Sequence, residues 1–463
     1  MKSAARVARE IEADISGRGW PAGEVLGSEA VLMDRYAVGR GTVREAVRIL
    51  EDRQLVRPRE GRSGGLVITA PGIEGVAAAV RVFLWHGQVR PEHLHELWSA
   101  LLATAVGDLA RSMDAGAAAV VAELRAGIAD QPAAAHWSPV GLHAAILRCW
   151  ENPPAVLVLH AALASWQPAV TGRNAVRRAR GAHDRLLRAI ARGDVAAAHA
   201  EVHDFFTSYP PAELGELDLG VETNRDPQPG RQKLGRRVAE GMLREIRSRG
   251  WPVGELLGTE RDLQMRLGVS RAALREGVRL LESWSAVEAR RGNRGGLVIV
   301  APDPTALRDA ARAWLDHAGT SRQAIFAVRA PLEVLAVRGL LTAASPDAVA
   351  RLRQVLVAEE RTGPAFVTGG PDAQRPSLST EIARLSGNPA LALFVPVLVD
   401  LVRARGLQVR QPEAGARWVA HQHRALVAAI EQRDAERAEL LTRRYIAAVE
   451  QVAPADRPMA GIN

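Results

Sequence analysis

The chain has a single cysteine, Cys149, in 463 residues. No disulfide can form within it, and a reducing cytoplasm is the expected setting. Lysine is almost as scarce, with Lys2 and Lys233 the only two, so arginine carries nearly all the positive charge. Chemistry that needs a lysine Schiff base therefore has few candidates, both outside the regions read below as ligand-binding. Aromatic residues make up 4%, whereas Ala, Leu, Val and Arg dominate, which favours helix. No apolar run reaches the roughly 18 residues of a membrane span. The longest oily stretch, NPALALFVPVLVDLV at 388–402, contains Pro389, Pro396 and Asp400 and reads as buried helix. The N-terminal MKSAARVAREIEADI is amphipathic and charged, without an apolar core of signal-peptide length, so no export signal is expected. No Ser-His-Asp, phosphate-loop or zinc-protease pattern occurs, so no enzyme, no catalytic residue and no cofactor is expected.

What is present is a repeat. Residues 20–68 recur at 251–299 without a gap, with about half the positions identical. Each copy follows an apolar helical face: Val7, Ile11 and Ile15 before the first, Val238, Met242 and Ile246 before the second. Trp-Pro-x-Gly then marks a turn. A short helix opens at Ser28-Glu29 or Thr259-Glu260, where a hydroxyl suits the cap and a carboxylate the first turn. After a break at Ala37-Val38 or Gly268-Val269, a second helix carries Val43, Val47 and Leu50, or Leu274, Val278 and Leu281. Two short strand-like runs around a glycine-rich tip close the unit. Three helices and a β-hairpin make a winged helix-turn-helix.

Residues 76–209 and 304–453 read as almost wholly helical and repeat weakly: LHAAILRCWENP (142–153) parallels LSTEIARLSGNP (378–389). The fold class expected is mainly α: two winged helix-turn-helix heads with small β-wings, each followed by an all-helical bundle. The layout expected is a first head at 1–72, a first body at 76–209 and a linker at 210–232. A second head at 233–303, a second body at 304–453 and a flexible tail at 454–463 follow.

Arg40, Arg44 and Arg48 stand at i, i+4 and i+8, as do Arg271, Arg275 and Arg279, so each trio shares one helical face. A guanidinium can fork onto guanine O6 and N7 or grip a phosphate. A solvated face with partners such as Glu45 or Glu276 is the plain alternative. Arg62-Ser63-Gly64 and Arg294-Gly295 at the wing tips can approach a backbone or a minor groove closely. Net charge is +8, which makes an anionic partner plausible. Residues 231–302 hold 15 Lys/Arg against 8 Asp/Glu, a net of +7; residues 1–70 hold 12 against 10, a net of +2. Phosphate attraction dominates non-specific affinity, so the second head is expected to bind more tightly.

The heads resemble the GntR superfamily of bacterial transcription regulators, whose pattern is P-x-G-x-x-L-x-S/T-E-R-x-L, then V-S-R-x-x-V/L-R-E-A, then a glycine-tipped wing. The second head matches with Thr259-Glu260-Arg261, Val269-Ser270-Arg271 and Leu274-Arg275-Glu276. The first departs at Ala30, in place of Arg, and at Gly39, in place of Ser. The helical regions resemble the FCD ligand-binding domains of the FadR-like branch. The resemblance implies double-stranded DNA as partner and a regulator that represses. It implies contacts from Arg40, Thr42, Arg44, Arg48, Arg62 and Gly64, and from Arg261, Ser270, Arg271, Arg275, Arg279, Arg294 and Gly295.

Many FCD domains hold a metal through Asp-x3-His and two further histidines. The matching positions here are Pro139, His143, His183 and Phe205, then Arg375, Ser379, His423 and Tyr445. That is too few donors, so no metal is expected; His199 and His203, one turn apart, are substitutes only if they leave a solvated face. A small-molecule effector in one body is implied instead, at His143 and His183 or at Arg329, Glu333, His423 and Tyr445. Such regulators act as homodimers on half-sites about 34 Å apart. A flexible linker of this length spans ~25–30 Å and extends to roughly 75 Å. It could hold the two halves at mM effective concentration as a pseudo-dimer within one chain. A homodimer of four-headed chains is the competitor. A protein-interaction scaffold with weakened DNA binding is the alternative function.

Overall fold

The computed structural model describes residues 4–18, 20–52, 55–59, 65–69, 72–130, 136–166, 168–213, 215–216, 231–290, 295–343, 345–362, 377–405 and 412–452. The first head comprises α1 (Ala4–Gly17), β1 (Val25–Gly27), α2 (Glu29–Tyr36), α3 (Arg40–Asp52), β2 (Val56–Pro58) and β3 (Leu66–Ile68). Its body follows with α4 (Ile73–His86), α5 (Pro91–Ser112), α6 (Ala115–Asp130), β4 (His136–Trp137), α7 (Val140–Cys149) and α8 (Pro153–Ser165). It ends with β5 (Pro168–Thr171), α9 (Arg173–Ala191), α10 (Val195–Ser208), a 3-10 turn (Pro211–Glu213) and β6 (Gly215–Glu216). The second head comprises α11 (Arg231–Ser248), β7 (Leu256–Gly258), α12 (Glu260–Leu267), α13 (Arg271–Ser283), β8 (Val287–Arg290) and β9 (Gly296–Ile299). The second body comprises α14 (Pro304–His317), α15 (Arg322–Ala343), α16 (Pro346–Thr362), α17 (Leu378–Leu385), α18 (Pro389–Arg405), α19 (Pro412–Glu431) and α20 (Ala435–Val452).

The heads form as their caps dictate. The Ser28 hydroxyl accepts from the Val31 N–H and that of Thr259 from Asp262 N–H, opening α2 and α12. Both helices stop on a left-handed residue, Ala37 (φ 52°) and Gly268 (φ 61°). Glycine takes that conformation at no steric cost; Ala37 takes it with strain of order 1 kcal/mol. Each wing is a three-stranded antiparallel sheet, in the order β1-β3-β2 and β7-β9-β8. Val56 opposes Ile68, and Val287 opposes Ile299. The mainly helical class expected from the sequence is the class observed. The first body also carries a small sheet, β4-β5-β6, that helical periodicity did not flag. Part of the expected linker contributes to it, because Gly215–Glu216 pairs with β5. Linker residues 217–230 and tail residues 454–463 lie outside the described residues.

The chain divides into two compact units, and each joins the two halves of the repeat. Among the described residues, one gathers residues 4–86 and 231–319, and the other residues 87–216 and 320–452. The helices α4 and α14, expected as the starts of the bodies, thus belong with the heads. They pack crosswise. The first head's core of Val7, Ile11, Leu32, Val43 and Leu50 takes in Ala313 of α14. The second head's core of Val238, Met242, Leu263, Leu274 and Leu281 takes in Ala78 and Val82 of α4. Trp20 faces His317 at 5.8 Å between ring centroids, and Trp251 faces His86 at 5.9 Å, contacts related by the repeat offset. Their indole N–H groups donate to Thr69 O and Val300 O. Arg312 of α14 pairs at 2.8 Å with Glu12 of α1, a carboxylate only 2% exposed.

The unit of the bodies has the same reciprocity. Asn152 caps α8 by accepting from Ala155 N–H and donates through Nδ2 to Ala324 O of α15 at 3.0 Å. Asn388 caps α18 by accepting from Ala390 N–H and donates to His93 O of α5 at 3.2 Å. Both side chains are buried. Asn152→Ala and Asn388→Ala each remove a cap and a hydrogen bond to the other half of the repeat. Each is expected to cost about 1–2 kcal/mol, read as a lower urea midpoint. Midpoints unchanged in both variants would show that the reciprocal bonds do not stabilise this unit.

Candidate DNA-contact face and effector site

On α3 the residues Val43, Ala46, Val47 and Leu50 are buried, and Arg40, Arg44 and Arg48 are exposed on the opposite face. On α13 the buried set is Ala273, Leu274, Gly277 and Leu281, and Arg271, Arg275 and Arg279 are exposed. Thr42 is half-buried, Arg261 is exposed on α12, and Gly295 is half-buried immediately before β9, at the loop end of the wing. Arg62, Gly64 and Arg294 lie outside the described residues. Ser270 has a structural role: its hydroxyl accepts from Ala273 N–H and caps α13. Gly39, its counterpart, offers no such acceptor.

Sequence reading named Glu45 and Glu276 as partners for these cations but missed Glu29 and Glu260. Arg44 donates its Nε–H to both oxygens of Glu29 at 3.1 Å. Arg271 and Arg275 donate theirs to one oxygen of Glu260, at 2.9 and 3.3 Å. The hydrogen bond from Arg271, with the charge of both arginines, holds the Glu260 carboxyl below its usual range. Arg279 lies 3.7 Å from Glu276, as the plain reading anticipated. Eleven and fifteen residues separate Glu260 from its partners, so no local pattern announces them.

In the first body, His143 and His183 meet. Their Nε2 atoms are 2.7 Å apart, and His183 Nδ1 is 2.7 Å from Ala179 O. A carbonyl only accepts, so His183 carries its proton on Nδ1 and accepts at Nε2 from His143. His143 Nδ1 is left buried without a partner among the described residues. Trp98, Trp137, Phe205 and Phe206 surround the pair edge-on or stacked. Burial drives the His143 pKa well below the ordinary histidine value and that of His183 down to about 4. The pair is neutral at pH 7. Two nitrogens bonded to each other inside an aromatic shell do not fit a divalent metal.

In the second body, Arg329 and Glu333 form a buried ion pair on α15. Ser379 Oγ donates to Glu333 Oε2 at 2.7 Å, and the Tyr445 hydroxyl is hydrogen-bonded to Arg329. His423 Nδ1 lies 2.7 Å from Glu359 Oε2, whose other oxygen accepts from Leu378 N–H. Burial raises the Tyr445 pKa. Glu333, Ser379, His423 and Tyr445 line a cavity with room for about one water molecule. The expected effector residues are thus brought together, but around a closed space. Glu333 is taken by Arg329 and Ser379, and Glu359 by His423 and the Leu378 N–H; among the described residues no three His, Cys, Asp or Glu side chains group as a metal site, and Arg375 lies outside them.

Two outcomes follow from these sites. An unfolded histidine protonates near pH 6.5, whereas the folded pair stays neutral. The unfolded chain thus binds more protons, and stability falls as pH drops from 6.5 towards 4. The thermal midpoint is expected to fall between pH 7 and 5, and to fall less in the His143→Phe/His183→Phe double variant. Equal slopes in the two proteins would contradict the neutral pair. Glu333→Ala leaves the Arg329 charge buried and unpaired, expected to cost about 3–5 kcal/mol by denaturant unfolding.

Two family profiles match the chain. The profile of the family described as "Bacterial regulatory proteins, gntR family" matches residues 3–66 and again 234–296. The FCD domain profile matches residues 324–448. An uncharacterized HTH-type transcriptional regulator of Mycobacterium tuberculosis is 37% identical over 75 residues, 16% of this chain and 30% of that protein. The HTH-type transcriptional repressor NanR of Salmonella arizonae is 27% identical over 235 residues, 49% of this chain and 87% of that protein. A solved Streptococcus agalactiae GntR aligns with 47% of this chain and 100% of its own, at 22% identity and a TM-score of 0.35. Among the described residues no helix is long and apolar enough to cross a membrane. With two GntR-type heads and an FCD domain in one polypeptide, the chain belongs to the GntR superfamily of bacterial regulatory proteins, in its FadR-like, FCD-containing branch.

Proposed function

We propose that the chain is a sequence-specific, DNA-binding transcriptional repressor whose two heads act as an intramolecular pseudo-dimer on one asymmetric operator. The observation that carries the reading is the duplicated exposed arginine face, opposite the buried stripe of α3 and α13. Such guanidinium groups suit the major groove and its phosphates. The crosswise seating of α4 and α14 and the reciprocal bonds of Asn152 and Asn388 support pairing within one chain. Repression follows the named activity of the Salmonella relatives. In this reading the DNA-contacting heads extend over 1–72 and 233–303, with α14 completing the first and α4 the second, the bodies over 87–209 and 320–453, and the linker over 210–232 apart from the β6 pairing. DNA contacts come from Arg40, Thr42, Arg44 and Arg48 and from Arg261, Arg271, Arg275 and Arg279, with the wing residues Arg62, Gly64, Arg294 and Gly295. The cytoplasm is the setting.

The effector is assigned to the second body. Its region carries the FCD match, and its buried guanidinium, Arg329, suits an anionic small molecule. Entry requires the Arg329–Glu333 pair to exchange partners, because the cavity holds only about a water. The first body, its aromatic shell filled by its own histidines, serves as the packing partner.

Mobility shift on the DNA flanking the chain's own gene tests the reading. The intact protein is expected to bind, with affinity falling steeply as salt rises. Arg271→Ala/Arg275→Ala is expected to abolish the specific shift, and Arg40→Ala/Arg44→Ala to weaken it less. No salt-sensitive attraction for any duplex would favour the interaction-scaffold alternative. Light scattering at low concentration is expected to give one chain; twice that mass would replace the pseudo-dimer with a four-headed homodimer.

A further inference from the structure

We propose that Glu260 is a positioning residue of the second head: it holds Arg271 and Arg275 as one rigid pair, so this head reads two neighbouring base edges where the first head reads one. The inference rests on the DNA-binding reading above and goes beyond it by assigning unequal specificity to the heads. Glu260 accepts the Nε–H of both arginines on a single oxygen. Each arginine keeps its terminal Nη groups for other partners, and a forked guanine contact can use those groups. In the first head Glu29 takes the same place at the start of α2, but among the described residues it engages Arg44 alone. Arg40, the counterpart of Arg271, has no ion-pair partner among the described residues and is exposed.

Long side chains lose rotamer freedom when they dock, and a pair ordered beforehand loses less. The cost of placing a carboxylate near DNA phosphates is the opposing effect. It is smaller for Glu260, whose charge is shared between two cations. All three groups are solvent-exposed, with side-chain exposures of 44%, 65% and 62% for Glu260, Arg271 and Arg275. Ion pairs of that kind contribute little to folding, so the role of Glu260 lies in orientation rather than stability. A first-turn glutamate also favours a helix N-terminus. That effect applies equally to Glu29 and Glu260, and a difference between the heads separates it from positioning.

The experiment uses the intact chain, a duplex that it selects from a random pool and a random duplex of equal length. The readout is the ratio of the two affinities at fixed salt, with thermal midpoint alongside. E260Q is expected to lower the ratio about 10-fold, on the scale of one bidentate base contact. Its affinity for the random duplex is expected to hold or rise, and its midpoint to stay put. E29Q is expected to lower the ratio about 3-fold or less, and E260D, too short to span both arginines, to fall between E260Q and the parent. Guanine-methylation interference is expected to show two adjacent guanines in one half-site and one in the other. A ratio kept within about twofold by E260Q, or lost equally by E29Q, overturns the positioning role. Failure of the parent chain to prefer any duplex overturns the DNA-binding reading itself, a result distinct from either.

Discussion

Neither head closes its own core. The apolar surface left by α1, α2 and α3 is completed by Ala313 from the second half, and that left by α11, α12 and α13 by Ala78 and Val82 from the first. A helix face that must be buried, and whose partner lies in the other copy of the repeat, ties the halves together more firmly than similarity of sequence does. Separate chains with this arrangement would depend on concentration to find each other. In the proposed pseudo-dimer the partner is covalently attached, and local concentration would replace bulk concentration. The buried Glu12–Arg312 pair adds directionality, because a carboxylate 2% exposed is costly to leave without its cation.

The heads were legible in the sequence because their signals are local. Caps at Ser28 and Thr259, apolar spacing at Val43, Val47 and Leu50, and glycine-tipped wings all act within a few residues. The arginine faces were legible for the same reason, as i, i+4, i+8 sets. The crosswise seating was not legible. An ungapped repeat is silent on whether a helix packs on its own head or on the other, and Ala78 and Ala313 are too small to mark a face. The sheet of the first body also left no signal, because β4 and β6 have two residues each, too few for a period of two to register. Within the second body, Arg329 and Glu333 were reached through the resemblance to FCD domains, and the structure brings them together as an ion pair. The Glu359–His423 contact, 64 residues apart in sequence, became visible only once α16 and α19 were packed.

Departures from the repeat fall where the copies differ in physical demand. Gly277 lies where α11 and α13 approach so closely that a Cβ would come within 2.8 Å of Val238 Cγ1 and 3.1 Å of Gly235 O. The first head has Ala46 there, buried without such constraint. Ala37 carries left-handed strain that Gly268 avoids. The first head also lacks the cap that Ser270 supplies, at Gly39, and the cation that Arg261 supplies, at Ala30. The asymmetry runs through the backbone, the caps and the contact face together, as expected when one copy is held to a stricter specification than the other.

The bodies have diverged by a different route, in how each satisfies the polar groups it buries. The first body removes charge. His143 and His183 hydrogen-bond each other, burial keeps both neutral, and aromatic rings occupy the remaining space. Nothing there can answer a charged ligand without first protonating a buried imidazole, which the surroundings oppose. The second body keeps charge and cancels it internally, with Glu333 at Arg329 and with Ser379 and Tyr445 closing the network. A cancelled charge, unlike an absent one, can change partners. An anion that displaced Glu333 would meet a guanidinium already desolvated and already oriented by Tyr445, so the largest cost of recognising it has been met in folding. That difference, more than the size of the cavity, is why the effector site is proposed in the second body.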